Sequence, residues 1–299
     1  MTARREGQTF AGGSAWVRYV NFVKLPHTVF ALPFALVGAV LATRVAAVTP
    51  GLILWIIVAF TAARFAAMAF NRIADRRLDA LNPRTRSREL PAGAISLAEA
   101  WVSVLLASLI FVIAAWQLNP LCLLLSPLAL AWVFFYSYTK RFTSWSHVVL
   151  GLGLAIAPVG GFLAVAGAWS DPWWMLASLA VAVATWVAGF DVLYALQDVE
   201  FDREHGLFSV PVLAGERGAL LIARTLHAVT AGALIVAGVG AGLGALYWIG
   251  VAVAAALLAY EHSLVIPGDL SRLDAAFFTM NGVISITFFG FVLLERTLA

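Results

Sequence analysis

The sequence predicts an all-α protein of the membrane, a bundle of nine transmembrane helices. Three observations carry that expectation. Of 299 residues, 62% are apolar and only 12% charged, against roughly 25% charged in a soluble domain. Mean hydropathy is +0.92. Apolar runs of about 20 residues recur almost end to end, each long enough to cross ~30 Å of hydrocarbon. Lipid offers an exposed backbone no hydrogen bonds, and runs this long and continuous are not the alternating strands of a membrane barrel, so the spans are helices. The net charge of +3 does not point to nucleic acid, because the basic residues sit in loops between spans and beside acids. Cys122 is the single cysteine and lies inside an apolar run, so no intramolecular disulfide can form.

Residues 1–21 read as a cytoplasmic tail and 22–299 as one transmembrane domain. Met1 to Gly13 carries no secretory signal, so the first span is expected to direct insertion. The spans fall at about 22–44, 51–70, 97–117, 120–139, 147–168, 173–197, 218–238, 241–260 and 276–294. Arg4, Arg5, Arg18 and Lys24 precede or open the first span, and Arg72 to Arg88 fill the connection after the second. Lys140 and Arg141 follow the fourth, Arg203 and Arg217 the sixth, and Arg272 the eighth. The opposite connections hold no Lys or Arg, although Arg44 and Arg296 border them. The bias predicts a multi-pass protein of the inner membrane, with its N-terminus and charged loops cytoplasmic and its C-terminus outside.

The acids gather in two inner connections. After the second span the chain reads Asn71-Arg-Ile-Ala-Asp75-Arg-Arg-Leu-Asp79. At about 100° per residue these three oxygen-bearing side chains fall on one helical face, at about 0°, 40° and 80°, with Arg64 near the same face two turns upstream. Carboxylate and amide oxygens one turn apart suit Mg²⁺, whose remaining ligands are waters and phosphate oxygens. After the sixth span the chain reads Asp191-Val-Leu-Tyr194-Ala-Leu-Gln197-Asp198-Val-Glu-Phe-Asp202, and Asp191, Tyr194, Asp198 and Asp202 share a face. Asp191 still lies within the apolar span, where an ionisable group is expensive and must be paired or functional. If the two acidic ends face each other, their carboxylates can hold Mg²⁺ around one diphosphate. Lys140 and Arg141 can meet the other phosphate oxygens, and Arg64 can grip a phosphate or a carboxylate.

These motifs, with Tyr136-Ser-Tyr138-Thr-Lys140-Arg141 after the fourth span, resemble the UbiA superfamily of intramembrane aromatic prenyltransferases over essentially the whole chain. The resemblance implies Mg²⁺-dependent transfer of a prenyl group from a prenyl diphosphate to an aromatic acceptor. It implies a metal–diphosphate role for Asn71, Asp75, Asp79, Asp198 and Asp202, with Lys140 and Arg141 as phosphate partners and Tyr194 beside the substrate. Arg72 stands where many members have a further aspartate. The stretches Phe22 to Phe34 and Asn82-Pro83-Arg84-Thr85…Arg88-Glu89-Leu-Pro91-Ala-Gly93 resemble the 4-hydroxybenzoate polyprenyltransferase group, including its menaquinone (futalosine) branch. The implied partners are a polyprenyl diphosphate, an aromatic hydroxy acid (4-hydroxybenzoate or 1,4-dihydroxy-6-naphthoate) and the bilayer, in ubiquinone or menaquinone biosynthesis.

The expected chemistry is electrophilic aromatic substitution. Asp191 is the candidate for steering the acceptor or taking the ring proton, and Arg64 the candidate clamp for the acceptor's carboxylate. Phe30, Phe34, Trp132 and Phe135 are candidate walls of a lipid-open groove for the prenyl tail. The alternatives are another UbiA branch with a different acceptor, or a secondary transporter. A transporter would show broken helices with its charges at the bilayer midplane, whereas these acids cluster at one face.

Overall fold

The structure, a computed structural model, describes residues 14–24, 28–273 and 275–298. Leu25, Pro26 and His27 of the first motif and the side chain of Phe30 lie outside that set. The helices are α1 (Ala15–Phe22), α2 (Thr28–Leu41), α3 (Pro50–Ala74), α4 (Arg76–Leu81), α5 (Leu97–Leu118), α6 (Pro120–Thr139), α7 (Ser146–Ala166), α8 (Trp173–Tyr194), α9 (Val199–Glu204), α10 (Val210–Ala241), α11 (Ala245–Leu264) and α12 (Asn281–Leu298). Among the described residues eight helices are long and apolar enough to cross a membrane, and a shorter apolar helix covers Ala31–Arg44.

Helix ends follow local chemistry. Thr49, Ser96, Asn119 and Ser209 each accept a backbone N–H at a helix start, and Pro50, Pro120 and Pro211 occupy first-turn positions where no N–H is needed. One boundary differs clearly from the sequence expectation. The tail contains α1, and Lys24 with φ 49° follows its end, so the first span begins at 28 rather than 22. The seventh span, expected from 218, follows a kink at Gly215, whose φ of 67° is a left-handed step that glycine takes without steric cost and separates the span from the short helical turn opening at Val210.

The spans pack as two rings that share α2 and α7. In one, α2, α7, α8, α10, α11 and α12 pack in succession and close on each other. Phe34, Trp186, Tyr247 and Phe288 fill its centre, with ring centroids 4.9–5.8 Å apart. Lipid gives no hydrophobic drive between helices, so close backbone approach matters. A Cβ at Gly38 would strike the carbonyl of Pro158, and one at Gly161 the carbonyl of Ala35, so α2 and α7 can meet only through these glycines. The other ring, α2, α3, α5, α6 and α7, is looser and encloses a chamber.

Candidate active site

Both acidic motifs lie at the charged end of the bundle, at the mouth of this looser ring. The hydrogen bonds of α3 continue past its end, from Asp75 N–H to Asn71 O and from Asp79 N–H to Asp75 O, both 2.8 Å. Asp75 and Asp79 are thereby presented one turn apart, and Asn71 Nδ2 donates to Asp75 Oδ2 at 3.0 Å. The second motif is not the continuous helix that its spacing suggested. Between α8 and α9 the chain tightens to a 3₁₀ turn over Ala195–Asp198, which winds about 20° further per residue than an α-helix. Asp198 and Asp202 are carried to the mouth, and Asp191 is left apart from them.

Four carboxylates meet four cations there. Arg141 Nη2 lies 2.8 Å from Asp75 Oδ1, Arg88 Nη1 2.7 Å from Asp79 Oδ1, Arg84 Nη2 2.6 Å from Asp198 Oδ2 and Lys140 Nζ 2.8 Å from Asp202 Oδ2. Arg84 Nε also donates to Asp198 Oδ1 at 3.0 Å, making a two-pronged grip. The sequence reading placed Lys140 and Arg141 here but missed Arg84 and Arg88. Their loop is folded onto the first motif by Thr85 Oγ1 donating to Asp79 O at 3.0 Å, and onto the second by Asn82 Nδ2 donating to Asp198 Oδ1 at 3.2 Å. The available signal was two arginines flanking Thr85 just after an acidic helix end. Tyr194 does not line this pocket. Its ring lies under the Arg84 guanidinium, 5.7 Å from the centroid, and edge-on to Phe278.

The donor set fits a hard divalent cation. It is oxygen only, the preference of Mg²⁺. Asp79 Oδ2 is buried without a hydrogen-bond partner, with Arg72 Nη1 3.9 Å away. Burial holds the Asp75 carboxyl above its usual range while Arg141 pulls it down. Among the described residues no three acids, histidines or cysteines converge into a closed metal cage, so phosphate oxygens and water would have to complete the coordination.

Asp191 is held by a residue that the sequence reading did not use. Val210 N–H donates to His147 Nε2 at 3.3 Å, so that nitrogen carries the lone pair. The proton then sits on Nδ1 and is donated to Asp191 Oδ2 at 2.7 Å. His147 is buried, and a histidine at the first turn of an apolar span was the missed signal.

Next to the charged mouth lies an apolar chamber of about 220 Å³, bounded by small side chains such as Ala35, Ala63, Ala129 and Gly160. Of the aromatics expected to line it, the three with described side chains do not. Phe34 packs into the closed ring, Phe135 faces outward, and Trp132 donates to Val149 O at 3.1 Å. Three polar residues stand in the chamber wall, Arg64, Ser126 and Tyr136, and the Ser126 hydroxyl donates to Leu123 O at 2.9 Å. Arg64 Nε has no hydrogen-bond partner. Tyr136 lies one helical turn before Lys140, which lines the charged mouth, so the end of α6 carries one residue into each cavity.

Comparison with known proteins gives a consistent result. The UbiA prenyltransferase family matches residues 31–283. A 4-hydroxybenzoate octaprenyltransferase of Xanthomonas campestris pv. campestris (strain B100) is 37% identical over 216 residues, 71% of this chain and 70% of that one. The Citrobacter koseri enzyme of the same name is 34% identical over 250 residues, 81% of this chain and 84% of its own. The apo structure of a UbiA homolog from Aeropyrum pernix K1 superposes with TM-score 0.82 at 36% identity, covering 90% of this chain and 98% of that one. A UbiA homolog from Archaeoglobus fulgidus bound to DMAPP and Mg²⁺ shares the fold, with TM-score 0.69 at 20% identity over 94% of this chain and all of the other.

Proposed function

The chain belongs to the UbiA prenyltransferase family, and on that premise we propose that it transfers a polyprenyl group from a polyprenyl diphosphate to the ring of an aromatic hydroxy acid. The acceptor is 4-hydroxybenzoate or 1,4-dihydroxy-6-naphthoate, in quinone biosynthesis, with Mg²⁺ as the metal and the charged face cytoplasmic. One observation carries the reading: the end of α6 brings Tyr136 into an apolar chamber that also holds Arg64 and, one turn on, Lys140 into a charge-paired oxygen site. The relatives' names support an aromatic acid as acceptor.

Asn71, Asp75, Asp79, Asp198 and Asp202 would hold Mg²⁺, which when bound neutralises the diphosphate and polarises its bond to carbon. Each cation at the mouth already holds one carboxylate, so a diphosphate can be accepted by exchanging partners without leaving a buried charge unpaired. The allylic carbon–oxygen bond breaks with its electron pair going to the diphosphate. The ring carbon beside the phenolic hydroxyl forms the new carbon–carbon bond, and its proton passes to Asp191. His147, neutral and donating from Nδ1, fixes that carboxylate's orientation. The chamber shelters the prenyl cation from water.

Arg64 is assigned as the clamp for the acceptor's carboxylate, a role supported by its buried Nε, which has no hydrogen-bond partner in the chamber wall. Losing a charge-assisted hydrogen bond costs about 1.5–3 kcal/mol, roughly 10- to 150-fold. Arg64→Ala is expected to raise the acceptor KM by that factor and the donor KM far less. Steady-state kinetics varying each substrate checks this, and equal rises would assign Arg64 to phosphate.

Gly160 sets room for the tail. A Cβ there would meet no atom within 4 Å, unlike neighbouring Gly161, and the residue lines the chamber. Gly160→Leu should lower kcat/KM for long prenyl diphosphates relative to short ones by about tenfold, the scale of overpacking a filled cavity. An unchanged ratio across a series of donor lengths would place the tail elsewhere.

A further inference from the structure

Beside the charged mouth lies a second basin, of about 610 Å³, walled by Arg76, Arg77, Arg141 and His205 together with Trp101 and Tyr138. It differs from the mouth in charge. The mouth balances its cations with aspartates, whereas among the described residues no acidic side chain lines the basin. Among the described residues neither Arg76 nor Arg77 has an ion-pair partner. The two cavities share a wall made by Leu78, Arg141 and Leu207. Arg141 stands on the divide, its guanidinium 5.2 Å from the centroid of Tyr138 while it donates to Asp75.

The basin's rim faces the bilayer. Trp101 and Tyr138 are 40% and 44% exposed, and both rings pack edge-on against Phe70. Below Trp101 the outer face of α5 continues as exposed apolar side chains, Leu105, Leu109 and Ile113 among them. Tryptophan and tyrosine above an apolar stripe mark the level where hydrocarbon meets headgroups. An anion whose tail lies in the membrane would arrive at this height with its head against Arg76 and Arg77.

We propose that the basin is a capture site for the diphosphate head of the membrane-borne donor, occupied before the head crosses the Arg141 divide into the mouth. The proposal rests on the prenyltransferase reading above and adds to it the donor's route. A diphosphate suits the site because its charge matches unbalanced arginines and its entry point is continuous with the metal–diphosphate pocket. The basin adds no chemical step.

The test uses the full chain in phosphatidylcholine vesicles with Mg²⁺. Clefts lined by one sign of charge raise encounter rates by about 10–10³-fold. The Arg76→Gln/Arg77→Gln pair is expected to raise the donor KM about tenfold and the acceptor KM less than twofold. It should also weaken the salt dependence of kcat/KM for the donor. The Arg76→Lys/Arg77→Lys pair, which keeps the charge, should recover most of the loss. Binding of geranyl diphosphate measured by calorimetry without acceptor should weaken by the same factor, so the capture site is tested even where turnover fails. An unchanged donor KM and binding constant, or an equal rise in acceptor KM, overturns the proposal. A defect seen only in vesicles containing phosphatidylglycerol also overturns it, by making the basin a phospholipid-headgroup site. Absent turnover in the wild type, with weakened binding in the Gln pair, would contradict the prenyltransferase reading alone.

Discussion

Asp198→Ala is expected to abolish Mg²⁺-dependent diphosphate release, a loss of about 10²–10³-fold or more, the scale of removing one preorganised charge-stabilising group. The reason lies in how many partners converge on this carboxylate. Arg84 grips it through two nitrogens at 2.6 and 3.0 Å, and Asn82 donates at 3.2 Å. It therefore ties the loop of the first motif to the second motif and, on the proposed function, would also supply oxygen to a metal. Removing it leaves the Arg84 cation short of its partner and the two acidic ends unlinked. Asp198→Asn separates these roles, because the amide oxygen can still accept from Arg84 and Asn82 while the negative charge is gone. Both variants should lose activity, with the Asn variant keeping the wild-type fold by circular dichroism. Asp75→Ala should lose activity similarly, since Asp75 holds Arg141 and Asn71 in place. Release that survives in Asp75→Ala and Asp198→Ala membranes would refute the site.

Asp191→Asn is expected to lower prenylated product by about 10²–10⁴-fold, the range for removing a positioned base. Its signature should differ from that of Asp198. Ionisation of the donor precedes loss of the ring proton, so diphosphate can still be released, by reaction with water, while the carbon–carbon product falls. Measuring both products in the same reaction distinguishes the two aspartates. His147→Phe should fall in the same direction but less far, because Asp191 keeps its charge and loses only the 2.7 Å bond that orients it. Full turnover by Asp191→Asn would remove Asp191 from the proton step.

The division between what the sequence disclosed and what it concealed is physical. Continuous apolar runs specify membrane helices almost by length alone, so eight of the expected spans were legible as long helices among the described residues, while the first expected span is a shorter apolar helix. Their ends were less legible where a single backbone torsion decides, as at Lys24. The one-face spacing of Asn71, Asp75 and Asp79 survives because the i→i−4 bonds run on through Asp75. The corresponding prediction for Asp191 to Asp202 failed at a 3₁₀ turn, which no periodicity announces. The acids were found together with Lys140 and Arg141, but the partners Arg84, Arg88 and His147 were not. Arg84 lies 114 residues from Asp198, and His147 lies 44 residues from Asp191. Such pairings are chosen by the packing of α3, α7 and α8, and one-dimensional spacing holds no record of it. The chamber was misassigned for a related reason. Aromatics were expected to line it, but space is made by what is small, and alanine and glycine form much of the wall.

The most direct measurement gives membranes containing the protein a polyprenyl diphosphate, Mg²⁺ and a panel of hydroxylated aromatic acids, and identifies the products by mass spectrometry with diphosphate counted in parallel. The expected result is one acid, 4-hydroxybenzoate or 1,4-dihydroxy-6-naphthoate, carrying the prenyl group on the ring carbon beside its hydroxyl, with one diphosphate released per product and none without Mg²⁺. Diphosphate release that ignores every aromatic acid, or a prenylated product formed equally without divalent metal, would contradict the account.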